Sequence, residues 1–373
     1  MAQVFLYGTL RHAPLLERVL GGRPAAVRPA RLDGHAVRAV ADGAYPALVA
    51  EAGGVAEGEV IALDDPAGWE RLRHYEAVFG YAPQPCTVET PEGAVAAQVF
   101  RPDTPPATEG AWSLDAWAGR WAAQSLEAAA EVMGQMGRMS PGALAAIHPM
   151  IRARAHSRVL AAAPRPRAPV LAPMSRDDVE LPAHRRPYAD YYSYDEQDLR
   201  FPRFGGGLSE PVTRAALVAT DAALVLPYDP RRDEVLLLEQ FRPGPYMRGD
   251  LRPWCLEPVA GRVDPGEDPE TTARRETEEE AGLTLERLEL ISRSYPSPGC
   301  LTEFFHIYLG RVDLARRPAE TGGLEAEAED IRRHVLPFDT VLGWADAGQI
   351  DVSPLALAVY WLARHRSRLR DAG

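Results

Sequence analysis

The sequence predicts an α+β protein of two domains joined through a helical, proline-rich middle. Strand-like apolar runs alternate with short helices early in the chain, and strand pairs surround one strongly capped helix in the later half. Between them residues 161–173 read AAAPRPRAPVLAP, with four prolines. Proline fixes φ and removes a backbone donor, so this stretch favours an extended connector over a packed element. At 373 residues the chain is also long for one domain. The expected division is residues 1–110 for the first domain, 111–173 for a helical extension and linker, and 174–373 for the second.

In the first domain an apolar strand over residues 4–7 runs into Gly8-Thr9-Leu10, and a helix over residues 15–20 stops at Gly21-Gly22. Residues 34–40 and 60–63 read as strands, and residues 86–100 as a hairpin turning at Pro91-Glu92-Gly93. A helix over Pro66–Val78 lies between them and closes at Gly80. This mixture predicts a small barrel or curled sheet. Helical spacing continues over Leu114–Gly134 and residues 141–160, which either close this domain or bridge to the next. In the second domain residues 222–226 and 235–240 form a hairpin across Tyr228-Asp229-Pro230, and an amphipathic helix over residues 354–364 fills the end.

Composition narrows the function classes. A net charge of -12 argues against nucleic acid or an anionic membrane as the main partner, because phosphates reward clustered positive charge. All 41 basic side chains are Arg, which excludes lysine Schiff bases and Walker-type phosphate loops. Cys86, Cys255 and Cys300 form no CxxC pair, so neither a disulfide framework nor a structural zinc site is expected. The opening residues lack a signal-peptide pattern, and no apolar run reaches the ~20 residues of a membrane helix. The expectation is a soluble, cytoplasmic protein acting on a small molecule.

The strongest helix starts at Asp268-Pro269-Glu270. Asp268 can cap free N–H groups, Pro269 suits the first helical position, Glu270 suits the positive dipole end, and Gly282 supplies a left-handed stop. Glu276, Glu279 and Glu280 stand at i, i+3 and i+4, so one face gathers three carboxylates near a helix end that disfavours negative charge. A hard divalent cation with oxygen ligands relieves that repulsion, and Mg²⁺ binds in this way beside phosphates. Arg275 can orient a neighbouring carboxylate, with Glu267 the first candidate. A Glu-rich helix alone would read as a solvated surface. The flanking glycines and cap at fixed offsets set this one apart.

Residues 261–283, GRVDPGEDPETTARRETEEEAGL, fit G-x5-E-x7-R-E-U-x-E-E-x-G-U, with Thr277 standing where an aliphatic residue is preferred. This is the Nudix box. From about residue 178 onward the chain resembles the ADP-ribose pyrophosphatase branch of Nudix hydrolases, which includes GDP-mannose hydrolases. The supporting stretches are Glu239-Gln240-Phe241-Arg242, Leu256-Glu257-Pro258-Val259-Ala260-Gly261, Ser297-Pro298-Gly299 with Glu303, and Glu327-Ala328-Glu329-Asp330-Ile331. The resemblance implies an α/β/α sandwich, a homodimer with an exchanged N-terminal sheet, and hydrolysis of ADP-ribose to AMP and ribose 5-phosphate. GDP-mannose or another nucleotide sugar, or nucleotide sensing without turnover, stays open as an alternative. It further implies that the Ala260 carbonyl, Glu276 and Glu280 hold Mg²⁺ (Mn²⁺ being possible), with Glu279 completing or bridging the cluster. Arg242 would meet the phosphates or terminal ribose, Glu257 the base, and Glu303 the sugar. Glu329 would position or deprotonate the attacking water, with Glu327 as its substitute.

The first domain resembles the γ-glutamylcyclotransferase-like (AIG2-like) family through Val4-Phe5-Leu6-Tyr7-Gly8-Thr9-Leu10, Tyr45-Pro46-Ala47-Leu48, Gly58-Glu59-Val60 and Tyr75-Glu76 followed by Tyr81. The resemblance implies that Tyr7, Gly8, Thr9 and Leu10 offer backbone N–H groups to an α-carboxylate. Glu76 would shuttle a proton as an amine attacks the γ-carbonyl to form 5-oxoproline. The Arg that commonly follows the tyrosine is absent here, where Ala82-Pro83 follow Tyr81. Catalysis and a non-catalytic binding or dimerising role both stay open for this domain.

Overall fold

In the computed structural model, which describes residues 2–41, 43–316, 318–323 and 329–371, the chain forms two units, Met1–Pro166 and Arg167–Gly373. The first contains, in chain order, β1 (Ala2–Leu6), α1 (Ala13–Leu20), β2 (Val27–Val40), β3 (Pro46–Leu63), α2 (Pro66–Val78), β4 (Tyr81–Thr90), β5 (Gly93–Pro102), β6 (Thr108–Ala111), α3 (Leu114–Gly134) and α4 (Pro141–Ala162). Five strands close a ring: β1 lies between β3 and β5, β4 joins β5 to β2, and β2 pairs back onto β3. Among the described residues of this ring, β1–β5 is the one parallel pair. β6 attaches to β2 outside the ring.

Alternation along β1 divides the packing. Phe5 and Tyr7 join Leu32, Val60, Val88 and Val99 in one cluster. Val4 and Leu6 turn the other way, onto a second cluster with Leu15, Leu72, Trp117, Val132, Leu144 and Ile151. The helices α3 and α4 thus pack into the core of the first unit. They are also tied by a buried ion pair, in which Arg154 Nε and Nη2 lie 3.0 and 2.6 Å from one Glu131 oxygen. Removing one partner of such a pair costs about 3–5 kcal/mol, because the other charge is left buried.

Two strands run longer than expected. β2 continues through Pro29 and Gly34, with a register shift between Asp33 and His35 where Gly34 takes φ +73. β3 passes through Gly53-Gly54 without ending. The glycines and prolines that read as stops are bends within strongly coiled strands. At Gly58 the reason is space: a Cβ there would lie 2.4 Å from the Leu6 carbonyl oxygen on β1.

The second unit opens with an antiparallel sheet of β7 (Glu180–Ala189), β8 (Ser193–Arg200) and β9 (Val212–Val218). Then follow β10 (Asp221–Asp229), β11 (Glu234–Phe241), α5 (Pro243–Arg248), β12 (Trp254–Glu257), β13 (Val259–Arg262), α6 (Pro269–Ala281), β14 (Arg287–Ser294), β15 (Phe304–Arg311), β16 (Thr321–Gly322), β17 (Ile331–Pro337), α7 (Phe338–Asp346) and α8 (Ser353–Asp371). The main sheet runs β14-β15-β10-β11-β17-β16, with β12 on β11 and β13 on β10. Leu224, Leu226, Leu237 and Leu309 pack with Val341, Leu355 and Leu362 of α7 and α8. α6 packs on β13 and β10. The last helix extends past the expected residues 354–364 at both ends. Among the described residues no helix is long and apolar enough to cross a membrane.

Candidate active site

Helix α6 is built locally as its caps predict. The Asp268 carboxylate accepts from the backbone N–H groups of Glu270 and Thr271 at 2.9 and 3.0 Å, and Gly282 ends the helix with φ +67. Thr277 is fully buried, and its hydroxyl donates to the Ala273 carbonyl at 2.7 Å, so it serves as a packing residue with a satisfied polar atom.

Helix α6 meets β13 at two points. Glu280, 3% exposed, accepts the Ala260 N–H at 3.0 Å. Glu276 lies so close to Gly261 that a Cβ there would stand 1.9 Å from its carboxyl carbon. Burial pushes the Glu276 carboxyl up to about 7 and Glu280 up to about 8, each further raised by Glu329 nearby. Arg333 of β17 donates to the Glu280 carbonyl at 2.6 Å and anchors the end of the helix.

Glu279 neighbours Glu276 across one guanidinium. Arg275 reaches Glu267 through Nε and Nη2, both at 3.1 Å, and its Nη1 bridges Glu276 at 2.7 Å and Glu279 at 3.0 Å. The expected Glu267 contact is present, and the fork onto Glu276 and Glu279 is additional. Among the described residues no three acidic, imidazole or thiol groups are gathered into a metal cage. The donors nevertheless fit a hard cation. Glu276 and Glu280 are oxygen donors removed from water and set against Glu329, and the residue at 261 lacks a side chain that would fill their space.

The remaining expected residues converge on the same face. Arg242 Nε donates to Glu257 at 2.7 Å. Burial raises the Glu257 carboxyl, partly offset by Arg242. Glu303 is raised to about 6, mainly by burial, with Arg242 opposing and Asp221 adding to it. Arg242 also acts on Glu280, which links the Arg242–Glu257 pair to α6. Tyr192 and Arg262, absent from the sequence expectation, belong to this neighbourhood, since Tyr192 is influenced by Glu303, Arg242 and Arg262. Glu327 lies outside the described residues.

In the first unit Tyr7, Gly8, Thr9, Leu10 and Glu76 line one cavity of about 650 Å³. The Tyr7 hydroxyl donates to the Phe100 carbonyl at 3.0 Å and holds the start of the loop. Glu76 faces the cavity from α2, and burial pushes its carboxyl up to about 8. Tyr75 and Tyr81 flank it, and the buried Tyr81 hydroxyl has no partner among the described residues. Trp121, Gln124, Ser125, His148 and Arg152, which no sequence motif singled out, line the same cavity from α3 and α4.

Compared with known families, the NUDIX domain matches residues 218–355, and the family described as gamma-glutamyl cyclotransferase, AIG2-like, matches residues 4–121. The chain belongs to the Nudix family, with an AIG2-like domain ahead of the Nudix domain. It is 38% identical to the ADP-ribose pyrophosphatase of Escherichia coli over 196 residues, which cover 52% of this chain and 93% of that protein. Against the ADP-ribose pyrophosphatase of Haemophilus influenzae it is 34% identical over 200 residues, 53% of this chain and 92% of that one. A GDP-mannose pyrophosphatase of Cronobacter sakazakii is 34% identical over 122 residues, 33% of this chain and 62% of that protein.

Proposed function

We propose that the second unit hydrolyses the pyrophosphate of ADP-ribose to AMP and ribose 5-phosphate, with Mg²⁺ as its cation and Mn²⁺ able to replace it. The observation that carries this reading is the concentration of Glu276, Glu280 and Glu329 beside the Arg242–Glu257 pair. Glu276, Glu280 and the Ala260 carbonyl, with Glu279, would hold the cation. When bound, a divalent cation neutralises phosphate oxygens and lowers the pKa of water. Arg242 supplies a guanidinium to a substrate phosphate, and Glu257 fixes its direction. Glu303 faces the sugar, and Glu329 takes the proton of the attacking water. The homodimer and cytoplasmic setting expected from the sequence belong to this reading.

With ADP-ribose, GDP-mannose and NADH compared by kcat/KM in Mg²⁺, ADP-ribose should lead by about tenfold or more, the scale of one extra charge-assisted contact. A lead for GDP-mannose would move the assignment to that sugar. Nucleotide binding without any turnover would make the unit a sensor.

A second reading concerns the first unit, and it rests on Glu76 facing the cavity opposite the Tyr7–Leu10 loop. There the α-amine of a γ-glutamyl amide attacks the γ-carbonyl carbon, the new ring C–N bond forms, and the old amide C–N bond breaks. Glu76 takes the proton from the attacking nitrogen and gives it to the departing amine, so no water is consumed. A carboxyl near neutrality suits such a shuttle. Its cost is visible in stability. With a folded-state value of about 8, Glu76 keeps its proton between about pH 5 and 8, where the unfolded chain has lost it. Stability from this group is therefore lost as pH rises through that window. Glu76→Gln should abolish 5-oxoproline release, and its gain in Tm over the parent should grow between pH 5.5 and 8.5. A gain that shrinks with pH would reject the burial argument.

A further inference from the structure

Glu329 lies two residues ahead of β17, beyond the pairing of that strand with β11, which ends at Glu239↔Arg332. On the other side β16 is two residues long, and its ladder to β17 consists of Thr321↔Arg332 and Gly322↔Ile331. Strand pairing as short as this is marginal by itself. Side chains must therefore help to hold Glu329 over the acidic face.

Arg333 provides such ties. Its backbone N–H donates to the Glu320 carbonyl at 2.7 Å. Its Nη1 donates to the carbonyls of Ala319 and Thr321 at 3.3 and 3.2 Å. Its Nε donates to the Glu280 carbonyl at 2.6 Å. Glu280 is in the last turn of α6, where carbonyls have no partner further along the helix. One guanidinium thus joins α6 to the segment that enters β16, which its planar fork of donors allows.

Two glycines complete the path. A Cβ at Gly322 would stand 2.0 Å from Arg333 Nη2, so the bare backbone makes room for the guanidinium. Gly323 has φ +101, and a Cβ there would lie 2.9 Å from the Cβ and the carbonyl oxygen of Glu329. The end of β16 therefore runs directly against Glu329. From α6 the connection passes through the Glu280 carbonyl, Arg333, the backbone of β16 and Gly323 to Glu329.

We propose that Arg333 is a positioning residue of the Nudix site, which ties β16 to the end of α6 and so sets Glu329 against Glu276 and Glu280. The inference rests on the role proposed above for Glu329 in hydrolysis. Arg333 touches neither substrate nor cation and acts through Glu329.

The test is steady-state kinetics of the full chain with ADP-ribose. Arg333→Met should lower kcat by about a hundredfold, the scale of an ångström of misplacement, and leave KM within about threefold. Arg333→Lys keeps one donor for the Glu280 carbonyl without the fork, and should recover the melting temperature but not kcat. Gly322→Ala has no positive φ to oppose it and displaces only the end of the Arg333 side chain, so it should reproduce the loss in kcat. Arg332→Gln removes an exposed pair with Glu320 and should match the parent. In a Glu329→Gln background Arg333→Met should change kcat by less than about threefold, because its route to the chemistry is already cut. A full further loss in that background, or a kcat that recovers with the melting temperature in Arg333→Lys, would overturn the proposal. If the parent is inert towards ADP-ribose, or Glu329→Gln keeps its activity, the role of Glu329 fails instead, and hydrogen exchange decides the tie. The amides of residues 329–333 should then exchange at least about tenfold faster in Arg333→Met, with those of α6 ahead of Thr277 unchanged. Equal exchange in the two proteins overturns it.

Discussion

Glu280→Gln is expected to lower ADP-ribose hydrolysis by about a thousandfold, within the 10²–10⁴ range of a lost catalytic carboxylate, while leaving cooperative unfolding intact. The two side chains have the same shape. The Gln amide oxygen can still accept the Ala260 N–H that Glu280 accepts at 3.0 Å, so the joint between α6 and β13 survives. What disappears is a buried carboxyl that a bound cation would hold deprotonated as an oxygen ligand. Steady-state kinetics with ADP-ribose, paired with a thermal melt, checks both halves. Activity within about tenfold of the parent would remove Glu280 from the cation site.

Gly261→Ala should be nearly as damaging, by a different route. Gly261 has no positive φ, so its backbone would accept alanine. The obstacle is Glu276, whose carboxyl carbon, Oε1 and Cγ would lie 1.9, 2.0 and 2.4 Å from the new methyl. Either Glu276 swings away from the face or β13 shifts against β10, where Gly261 pairs with Ala223. The first outcome removes a cation donor, and the second costs about 1–3 kcal/mol of overpacking. Hydrolysis should fall by about a hundredfold or more. Combining Gly261→Ala with Glu276→Ala should recover the melting temperature and leave activity absent, a non-additivity that contact between the two sites requires. Independent, additive effects on stability would disprove the contact.

The helix behind both expectations is legible in the sequence, whereas the Gly261–Glu276 approach is not, and the reason is locality. Asp268, Pro269 and Gly282 act within one turn of the helix ends they set, so α6 is visible in the sequence. The sheet of β7, β8 and β9 is not. Its strands, ELPAHRRPYA and SYDEQDLR, lack an apolar period. They are held instead by ion pairs across the strands, among them Arg185 with Asp198 at 2.7 Å and Arg186 with Asp195 at 2.5 Å. Register decides those pairs, and a linear pattern does not show register. The first half of β4 hides for another reason, since Pro83 and Pro85 argue against a strand ahead of the expected hairpin arm from residue 86. The site divides in the same way. Glu276 and Glu280 follow from helical spacing, whereas the bridge from Arg275 to Glu279 depends on side-chain direction within the face. Glu76 was identified from its motif, but its enclosure required α3 and α4, whose cavity-lining residues Trp121, His148 and Arg152 come together only through folding.

The closed ring of the first unit also bears on synthesis. β1 is made early, yet its two neighbours are β3, which it meets from Ala2↔Leu63 to Leu6↔Glu59, and β5, which it meets at Val4↔Gln98 and Phe5↔Val99. Of the helices in the cluster with Val4 and Leu6, α3 and α4 are translated later still. For most of the time this unit spends emerging from the ribosome, its earliest apolar strand has no finished berth. Contacts of such long sequence separation form slowly. The barrel is therefore committed late and as a whole, and a nascent chain paused before β5 would display β1 to chaperones.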